Sequence, residues 1–408
     1  MHQRGSRTIR LLGAAIAAVA GLLAVPARVA TQVPACGPSP NVPLTDLTRS
    51  YRGLDIGLYP GRRTTVPPEH LAIGLEQAAR IRPLDVRGDP SPTGRVILLS
   101  VGMSNTSMEF GRFVKDAARN PAVSRRLTIL NGALSGMDAA AWTDRNGPAW
   151  QFALRTVGRG DLSPTQVQVV WLKQTHIRTT PFPQEVDALA ADIQQILRIA
   201  KAVFPNLRMV LLSSRTRAGV PGGQGPAEPQ AYETAFAVRR VIEAQMANAG
   251  PVGARDVWLR WGPYLWANEA PRSDGFAWTC DDLVPRDLIH PSESGSAKVS
   301  DELMAFFMTD ATTAPWFLEP SQGTGGPSIA RVAASASAGA APLSVTFDAA
   351  VTGASRYFWS FDDGTSSLAP APRKTFAVNG RYTVQLTVTD AQGRWARSTA
   401  TIQVGPGG

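Results

Sequence analysis

One serine in the chain is placed where it could act as a nucleophile. Ser104 lies two residues after Gly102, at the end of the apolar segment 96–101, where a buried strand would end. A serine hydroxyl is too weak an acid to attack a carbonyl group unaided, so a nucleophilic Ser104 requires a general base from another part of the chain. The candidate bases are the histidines.

His290 is the best placed of these candidates. The chain has four histidines, and the other three are His2, His70 and His176. Asp287 precedes His290 by three residues, so one turn can present the imidazole while the carboxylate bonds its other nitrogen. Such a carboxylate fixes the tautomer and stabilises the imidazolium that forms during attack. We therefore interpret Ser104 as nucleophile, His290 as general base and Asp287 as the orienting carboxylate.

A regular alternation of strands and helices predicts how these residues are positioned. The apolar segments predicted as strands are 96–101, 127–130, 167–172, 208–213 and 256–260. The amphipathic segments predicted as helices are 186–204, 231–247 and 293–308, the last with Ser292 as N-cap. This pattern, assigned to residues 95–318, is typical of a parallel sheet covered on both faces, which binds ligands at its carboxyl edge. Ser104 follows the first strand and His290 precedes the last helix, so both are expected at that edge.

Over about residues 95–308 the chain resembles the SGNH (GDSL-type) hydrolase superfamily. The first block of that family, Gly-x-Ser after strand one, matches residues 102–104, and its closing block, Asp-x-x-His before the last helix, matches residues 287–290. The resemblance implies a flavodoxin-like doubly wound α/β fold and the three roles given above. It also implies a glycine whose N–H helps to bind the oxyanion, matched by Gly136 in "NGALSGMD", with Gly132 as a weaker match.

Two positions depart from the family pattern. Met103 stands where the family has an acidic residue and Asn105 follows the serine, so "GMSN" is closer to the "GQSN" of carbohydrate acetylesterases in this superfamily. The asparagine expected after strand three is missing from "WLKQTH" (171–176), where Gln174, or Thr175 as second choice, could supply the donor. Loss of one oxyanion donor typically lowers turnover on the order of 10²–10³-fold. The resemblance implies an exported serine esterase acting on acylated, above all acetylated, polysaccharides or glycosides without a metal or organic cofactor.

A change of composition marks a second region near the C-terminus. Residues 319–327 read as a Gly/Pro/Ser linker, and beyond them the hydrophobic period becomes two, which predicts a small β-sandwich domain. "FWSFDDGTSS" followed by "YTVQLTVTD" resembles the PKD domain, an immunoglobulin-like β-sandwich, over residues 328–405. Trp359 and Phe361 are expected in its core. The resemblance implies a spacer or adhesion module that touches polysaccharide, protein or a cell surface, and not a catalytic one.

The sequence leaves two other functions open. A surface binding protein that keeps the hydrolase fold without its chemistry would fit the altered third block and the attached PKD module. An exported peptidase is the second alternative, because PKD modules often accompany proteases. At the level of single residues, Ser104 could simply begin a helix, and His290 could be a structural residue of its loop.

The N-terminal residues predict export. Residues 1–30 read as a signal peptide, with arginines before the apolar run "LLGAAIAAVAGLLAV" and a small-residue cleavage site in "VPA". A secreted, periplasmic or cell-surface protein is therefore expected, with residues 31–94 as an N-terminal extension. In such a compartment Cys36 and Cys280, the only two cysteines, are expected to form a disulfide. Two buried thiols, or lipidation of Cys36, are the alternatives.

The distribution of charged and aromatic residues bears on nucleic-acid binding and on sugar binding. The net charge is +9, but the 41 Lys and Arg residues are scattered and form no basic stripe interleaved with aromatic rings, so no nucleic-acid partner is predicted. The aromatic-rich segment 257–282 could form a sugar-stacking surface, and core packing explains about half of its rings equally well. His70 is interpreted as a helix-start residue, and His176 as structural or solvent-facing.

Overall fold

The computed structural model describes residues 41–217, 227–320 and 325–406. The helices are α1 Pro68–Arg80, α2 Ser104–Ala118, α3 Pro148–Val157, α4 Gln184–Val203, α5 Gln230–Met246, α6 Glu293–Thr309 and α7 Ala314–Phe317. The strands that alternate with them are β1 Val96–Gly102, β2 Leu127–Asn131, β3 Val167–Lys173, β4 Met209–Ser213 and β5 Trp258–Trp261. All five predicted strands and all three predicted helices are present.

These five strands form one parallel sheet in the order β2-β1-β3-β4-β5. Every residue of β1, β3 and β4 is buried, so helices cover both faces of the sheet, as predicted. β2 is half-buried throughout, as suits an edge strand. The strand order reverses beside β1, and ligands of open α/β sheets bind outside the carboxyl ends of the strands at such a point.

Helices α2 and α6 pack against each other and run in the same direction. A carboxylate oxygen of Glu293, the first residue of α6, lies 3.7 Å from a guanidinium nitrogen of Arg112 in the middle of α2. Further along, Ser300 Oγ donates to Asp116 Oδ2 at 2.8 Å. Because the N-termini of both helices lie at the same end of the pair, the residues just before α6 and at the start of α2 are brought to one edge.

The C-terminal region is the predicted β-sandwich. Its strands are β6 Ser328–Ala334, β7 Ala338–Gly339, β8 Leu343–Thr352, β9 Arg356–Ser360, β10 Ser366–Ser367, β11 Arg373–Phe376, β12 Gly380–Thr389 and β13 Trp395–Val404. They form two sheets, with the orders β10-β9-β12-β13-β7 and β11-β8-β6. The residues with period-two spacing face the core, where Trp359, Phe361, Tyr382, Val384, Leu386 and Val388 are all buried.

The sandwich packs directly on the α/β part instead of hanging from a free linker. The N–H of Tyr264 donates to the carbonyl of Gly364 at 2.8 Å. Lys374 Nζ lies 2.8 Å from Ser273 Oγ and 2.8 Å from Asp363 Oδ2, and its side chain is fully buried. The expected spacer therefore shares a buried polar interface with the α/β part, and both belong to one compact unit.

A buried carboxyl group in this interface makes stability depend on pH. Glu302 of α6 accepts a hydrogen bond from Ser366 Oγ at 3.0 Å and lies 3.9 Å from the guanidinium of Arg272. Burial raises the pKa of Glu302 to about 8, although Arg272 opposes the shift. Since this pKa is above the ordinary value of 4.5, the folded protein binds more protons than the unfolded chain between those two pH values. The contribution of protonated Glu302 to stability is therefore fully present below the pKa of this group in the unfolded chain. It is lost as the pH rises through about 8, the pKa of Glu302 in the folded protein.

The variant Glu302→Gln tests this dependence. Glutamine keeps the neutral form at every pH, so the melting temperature of the variant should fall less between pH 5 and pH 8 than that of the parent protein. Thermal unfolding followed by circular dichroism measures the difference. Glu69→Gln, at an exposed position of α1, is the matched control and should keep the parental slope. Equal slopes for Glu302→Gln and the parent protein would contradict the argument.

Candidate active site

The structure brings Ser104, His290 and Asp287 together at the carboxyl edge of the sheet. Ser104 is the first residue of α2, two residues beyond the end of β1. The Nε2 atom of His290 lies 2.9 Å from Ser104 Oγ, and the Nδ1 atom lies 3.1 Å from Asp287 Oδ2. Both distances fit a nucleophile, a base and an orienting group joined by hydrogen bonds. The imidazole therefore connects the hydroxyl to the carboxylate as the spacing predicted.

Asp287 is held as an ionised, oriented carboxylate. It is 5% exposed, and its Oδ1 accepts the backbone N–H groups of Ile289 and His290, both at 3.0 Å. Burial by itself would raise the pKa of Asp287, but these hydrogen bonds and that of the His290 ring outweigh it and lower the pKa. Leu288 has a φ of 53°, uncommon for a residue with a side chain, and this turn wraps the backbone around the carboxylate.

Asn105 fixes the loop of His290 to the start of α2, a role that the sequence did not predict. Its Nδ2 donates to the carbonyl of Ile289 at 2.8 Å, and the side chain is 4% exposed. Asn105 follows the serine in "GMSN", so the sequence places it next to the proposed nucleophile. The sequence does not show that its partner is Ile289, 184 residues away. It acts through its neighbours and is a positioning residue.

Thr106 and Gly102 fix the same turn to the sheet. Thr106 Oγ1 donates to the carbonyl of Lys173 at 2.8 Å. A Cβ atom on Gly102 would lie 2.4 Å from Thr106 Oγ1 and 2.6 Å from the carbonyl oxygen of Lys173. Neither neighbour has room to move, so this close approach of strand and helix requires glycine.

A buried ion pair lies beneath the site. Lys173, the last residue of β3, places Nζ 2.6 Å from each carboxylate oxygen of Glu109 on α2. Glu109 is fully buried and Lys173 is 3% exposed. In the sequence, the lysine that ends the apolar segment "VQVVWLK" was the feature that could have indicated a buried charge and its partner. Removal of either partner would leave an unpaired buried charge, so the pair fixes α2 on β3.

The predicted oxyanion donors lie in two loops that are joined to each other. Gly136, with a φ of +78°, is exposed in the loop after β2, and its N–H donates to no acceptor among the described residues. Gln174 follows β3 and is buried, and its amide donates to the carbonyl of Met137 at 3.5 Å. The N–H of Ala139 donates to the carbonyl of Thr175 at 3.0 Å. The structure thus places both loops at the same edge, while the Gln174 amide is directed at Met137.

The other two described histidines have structural surroundings. His176 bonds Glu185 Oε1 through Nδ1 at 2.7 Å and Asp192 Oδ2 through Nε2 at 2.9 Å. Burial would lower the pKa of His176, but these two carboxylates outweigh it and raise the pKa. His70 lies in the first turn of α1, where Nε2 is 2.7 Å from the carbonyl oxygen of Leu259.

The tryptophan and tyrosine rings of β5 and of the segment that follows it belong to the hydrophobic core. Their side chains are at most 1% exposed: Trp258, Trp261, Tyr264, Trp266 and Trp278. The hypothesis that they form a sugar-stacking surface is therefore wrong, because core packing leaves no ring face open to a ligand.

Several sequence predictions lie outside the described residues. Residues 1–40, with the signal peptide and Cys36, are among them, so the pairing of Cys36 with Cys280 stays a prediction. Within the described residues, no helix has the length and apolar character needed to cross a membrane. The same residues contain no group of three or more His, Cys, Asp or Glu side chains that could hold a metal ion.

Comparison with known proteins decides the nature of the C-terminal region. Residues 327–404 match the family model of the PKD domain. This region is a PKD domain. The PKD1 domain of the Vibrio cholerae metalloprotease PrtV is 28% identical, with 20% of this chain and 98% of that chain covered and a TM-score of 0.18. The PKD1 domain of Vibrio anguillarum Epp is 31% identical, with 20% and 94% covered and a TM-score of 0.18.

A structure of carbohydrate-binding modules from the β-sandwich superfamily is 29% identical, with 20% of this chain covered and a TM-score of 0.19. This chain spans 36% of that relative's length. No curated protein matches the chain.

Proposed function

We propose that this protein is an exported serine esterase of the SGNH type, which removes acyl groups, above all acetyl, from a polysaccharide or glycoside. The observation that carries the proposal is the hydrogen-bonded series Ser104–His290–Asp287, formed by residues 186 positions apart in the chain. The Gly-x-Ser and Asp-x-x-His blocks and the strand order 2-1-3-4-5 of flavodoxin-like sheets support it.

The chemistry follows from the two hydrogen bonds of the imidazole. As Ser104 Oγ attacks the ester carbonyl carbon, His290 Nε2 accepts the hydroxyl proton, and Asp287 stabilises the imidazolium through Nδ1–H. The tetrahedral intermediate collapses when the bond to the sugar oxygen breaks, and His290 returns the proton to that oxygen. Water then attacks the acyl-enzyme by the same proton path, which releases the carboxylic acid and restores Ser104.

Backbone N–H groups supply the stabilisation of the oxyanion. Ser104 is the first residue of α2, and the N–H groups of a first helical turn have no acceptor within the helix. The helix dipole also favours negative charge there. Gly136 N–H is the second donor of the proposal, and Gln174 serves as a third donor if its amide turns away from Met137 when substrate binds.

A fluorophosphonate probe tests the proposal because it reacts only with an activated serine. We expect the folded protein to be labelled at Ser104, identified by peptide mass spectrometry, and labelling to fall at least a hundredfold in His290→Ala. Ser107→Ala, at a half-buried position one turn further along α2, should label like the parent protein. Absence of label on the folded parent protein would reject the esterase.

A binding protein that has lost the chemistry is the second candidate. The Gln174 amide favours it, since its hydrogen bond goes to Met137 instead of pointing at the nucleophile. The same experiment separates the two functions, because an inactive protein with this fold would not react with the probe.

A further inference from the structure

A line of accessible side chains leads along α2 away from the nucleophile. Neighbours on one face of a helix are three or four residues apart. The line consists of Ser104, Met108, Arg112, Lys115 and Arg119, all exposed or half-buried. On the adjacent α6 a second line, Glu293, Ala297 and Asp301, runs in the same direction. The first line begins at Ser104 and the second begins three residues after His290. At their far ends, Arg119 and Asp301 line one groove together with residues of the PKD domain.

A groove lies where these two lines meet the PKD domain. Its volume is about 540 Å³, and α2, α6, strand β9 and the segment around Leu368 line it. We refer to it as the α2/α6/PKD groove. The helical distance from Ser104 to Arg119 is about 22 Å, at 1.5 Å per residue. A ligand that occupies the groove and also reaches the nucleophile must therefore be a polymer and not a small ester.

The charges in the groove favour an anionic ligand. Arg119 and Arg356 line it from opposite sides, both are exposed, and neither forms an ion pair with a carboxylate of the described residues. Arg112 is partly occupied by Asp116, at 2.7 Å. Asp301 also lines the groove, so three arginines, Arg112, Arg119 and Arg356, share it with two carboxylates, Asp116 and Asp301, and an excess of positive charge remains.

The remaining surface of the groove suits the faces of sugar rings. Leu368 is 39% exposed although it is large and apolar, and the exposed Pro370 lies beside it in the lining of the groove. Apolar side chains beside cationic groups can contact the apolar face of a pyranose while the arginines bind its carboxylate.

We propose that the α2/α6/PKD groove binds an extended anionic polysaccharide, the polymer that carries the acyl groups. The part of this inference that concerns acyl groups rests on the proposed esterase function. The PKD domain then contributes one side of the substrate site through Arg356 and Leu368, a role that a spacer would not have.

Calorimetric titration of the full chain with an oligogalacturonate tests the proposal. We expect binding that weakens with added salt, as charge-based contacts do. The dissociation constant should rise tenfold or more in Arg119→Gln/Arg356→Gln. A cello-oligosaccharide of the same length, which is neutral, should bind at least tenfold more weakly than the oligogalacturonate. Arg159→Gln, at an exposed arginine outside the groove, is the matched control and should bind like the parent protein.

The proposal would be overturned if the oligogalacturonate did not bind, or if the neutral oligosaccharide bound with equal affinity. It would also be overturned if the double variant kept both the parental dissociation constant and the parental melting temperature. Equally tight binding of a single-stranded oligonucleotide of the same length would also overturn it, because a simple attraction for polyanions would then explain the result.

Failure of this inference can be told from failure of the esterase proposal. If the serine does not react with fluorophosphonate while oligogalacturonate binding depends on the two arginines, the esterase is rejected and the groove stands as a binding site. If the serine reacts and the oligogalacturonate does not bind, the groove proposal alone is rejected. For an active enzyme, the double variant should raise KM on an acetylated anionic polymer at least tenfold more than on p-nitrophenyl acetate.

Discussion

Replacing Ser104 by alanine is expected to lower the turnover of p-nitrophenyl acetate by about 10⁴–10⁶-fold, which is the usual effect of removing a serine nucleophile. The reason is that Ser104 Oγ lies 2.9 Å from His290 Nε2 and is the hydroxyl that this imidazole can deprotonate. His290→Ala should cost about as much. Asp287→Asn should cost about 10⁴-fold, because asparagine favours the wrong tautomer of the imidazole.

Non-additivity gives the sharpest form of this test. Residues that act as one unit lose their effect together, so the double variant Ser104→Ala/His290→Ala should be no slower than either single variant. Ser107→Ala is the control on the same helix and should keep parental turnover. Purified Ser104→Ala with unchanged turnover and an unchanged melting temperature would remove the mechanism.

Replacing Lys374 by methionine is expected to lower the free energy of unfolding by about 3–5 kcal/mol. Lys374 is fully buried and lies 2.8 Å from Asp363, whose side chain is 4% exposed. Without the lysine, the carboxylate of Asp363 remains buried without its cationic partner, and the hydrogen bond to Ser273 across the interface is lost. Urea unfolding followed by tryptophan fluorescence measures the change.

Two further variants separate the charge effect from general disruption of the strand. Arg373→Met changes the neighbouring residue of β11, whose side chain is exposed, and should alter the unfolding free energy by less than about 0.5 kcal/mol. Lys374→Met/Asp363→Asn removes both charges and should be more stable than Lys374→Met alone, because no unpaired buried charge remains. A double variant less stable than the single one would contradict this explanation.

The fold of this protein was readable from local patterns. The apolar segments of the sheet, the helical periodicity before and after them, and the Ser292 cap of α6, whose Oγ accepts the N–H of Gly295 at 3.3 Å, are all short-range features. Burial on both faces makes the strands of a parallel sheet apolar along their whole length, so the sequence shows them directly. The period-two pattern of the PKD domain arises in the same way.

Contacts between residues far apart in the chain were only partly predictable from the sequence. The serine and the histidine could be named because a hydrolytic site requires both, and their meeting across 186 positions was a prediction that the folded chain then displayed. Two other contacts could not be predicted: the hydrogen bond of Asn105 to the Ile289 carbonyl and the buried ion pair of Lys173 with Glu109. The residues around Asn105 and Lys173 in the sequence do not indicate which distant residue each side chain will contact.

The sequence alone was sufficient for the strands, the helices and the C-terminal PKD domain, because backbone geometry and hydrophobic periodicity depend on neighbours within a few positions. Tertiary packing decided the rest. It buried the aromatic segment that could have faced a sugar and directed Gln174 at Met137. It also docked the PKD domain on α6 through Glu302 and on the segment after β5 through the bond of Lys374 to Ser273. These outcomes depend on which surfaces of the helices and sheets pack against each other. The apolar surfaces that become buried are determined only when the whole chain has folded.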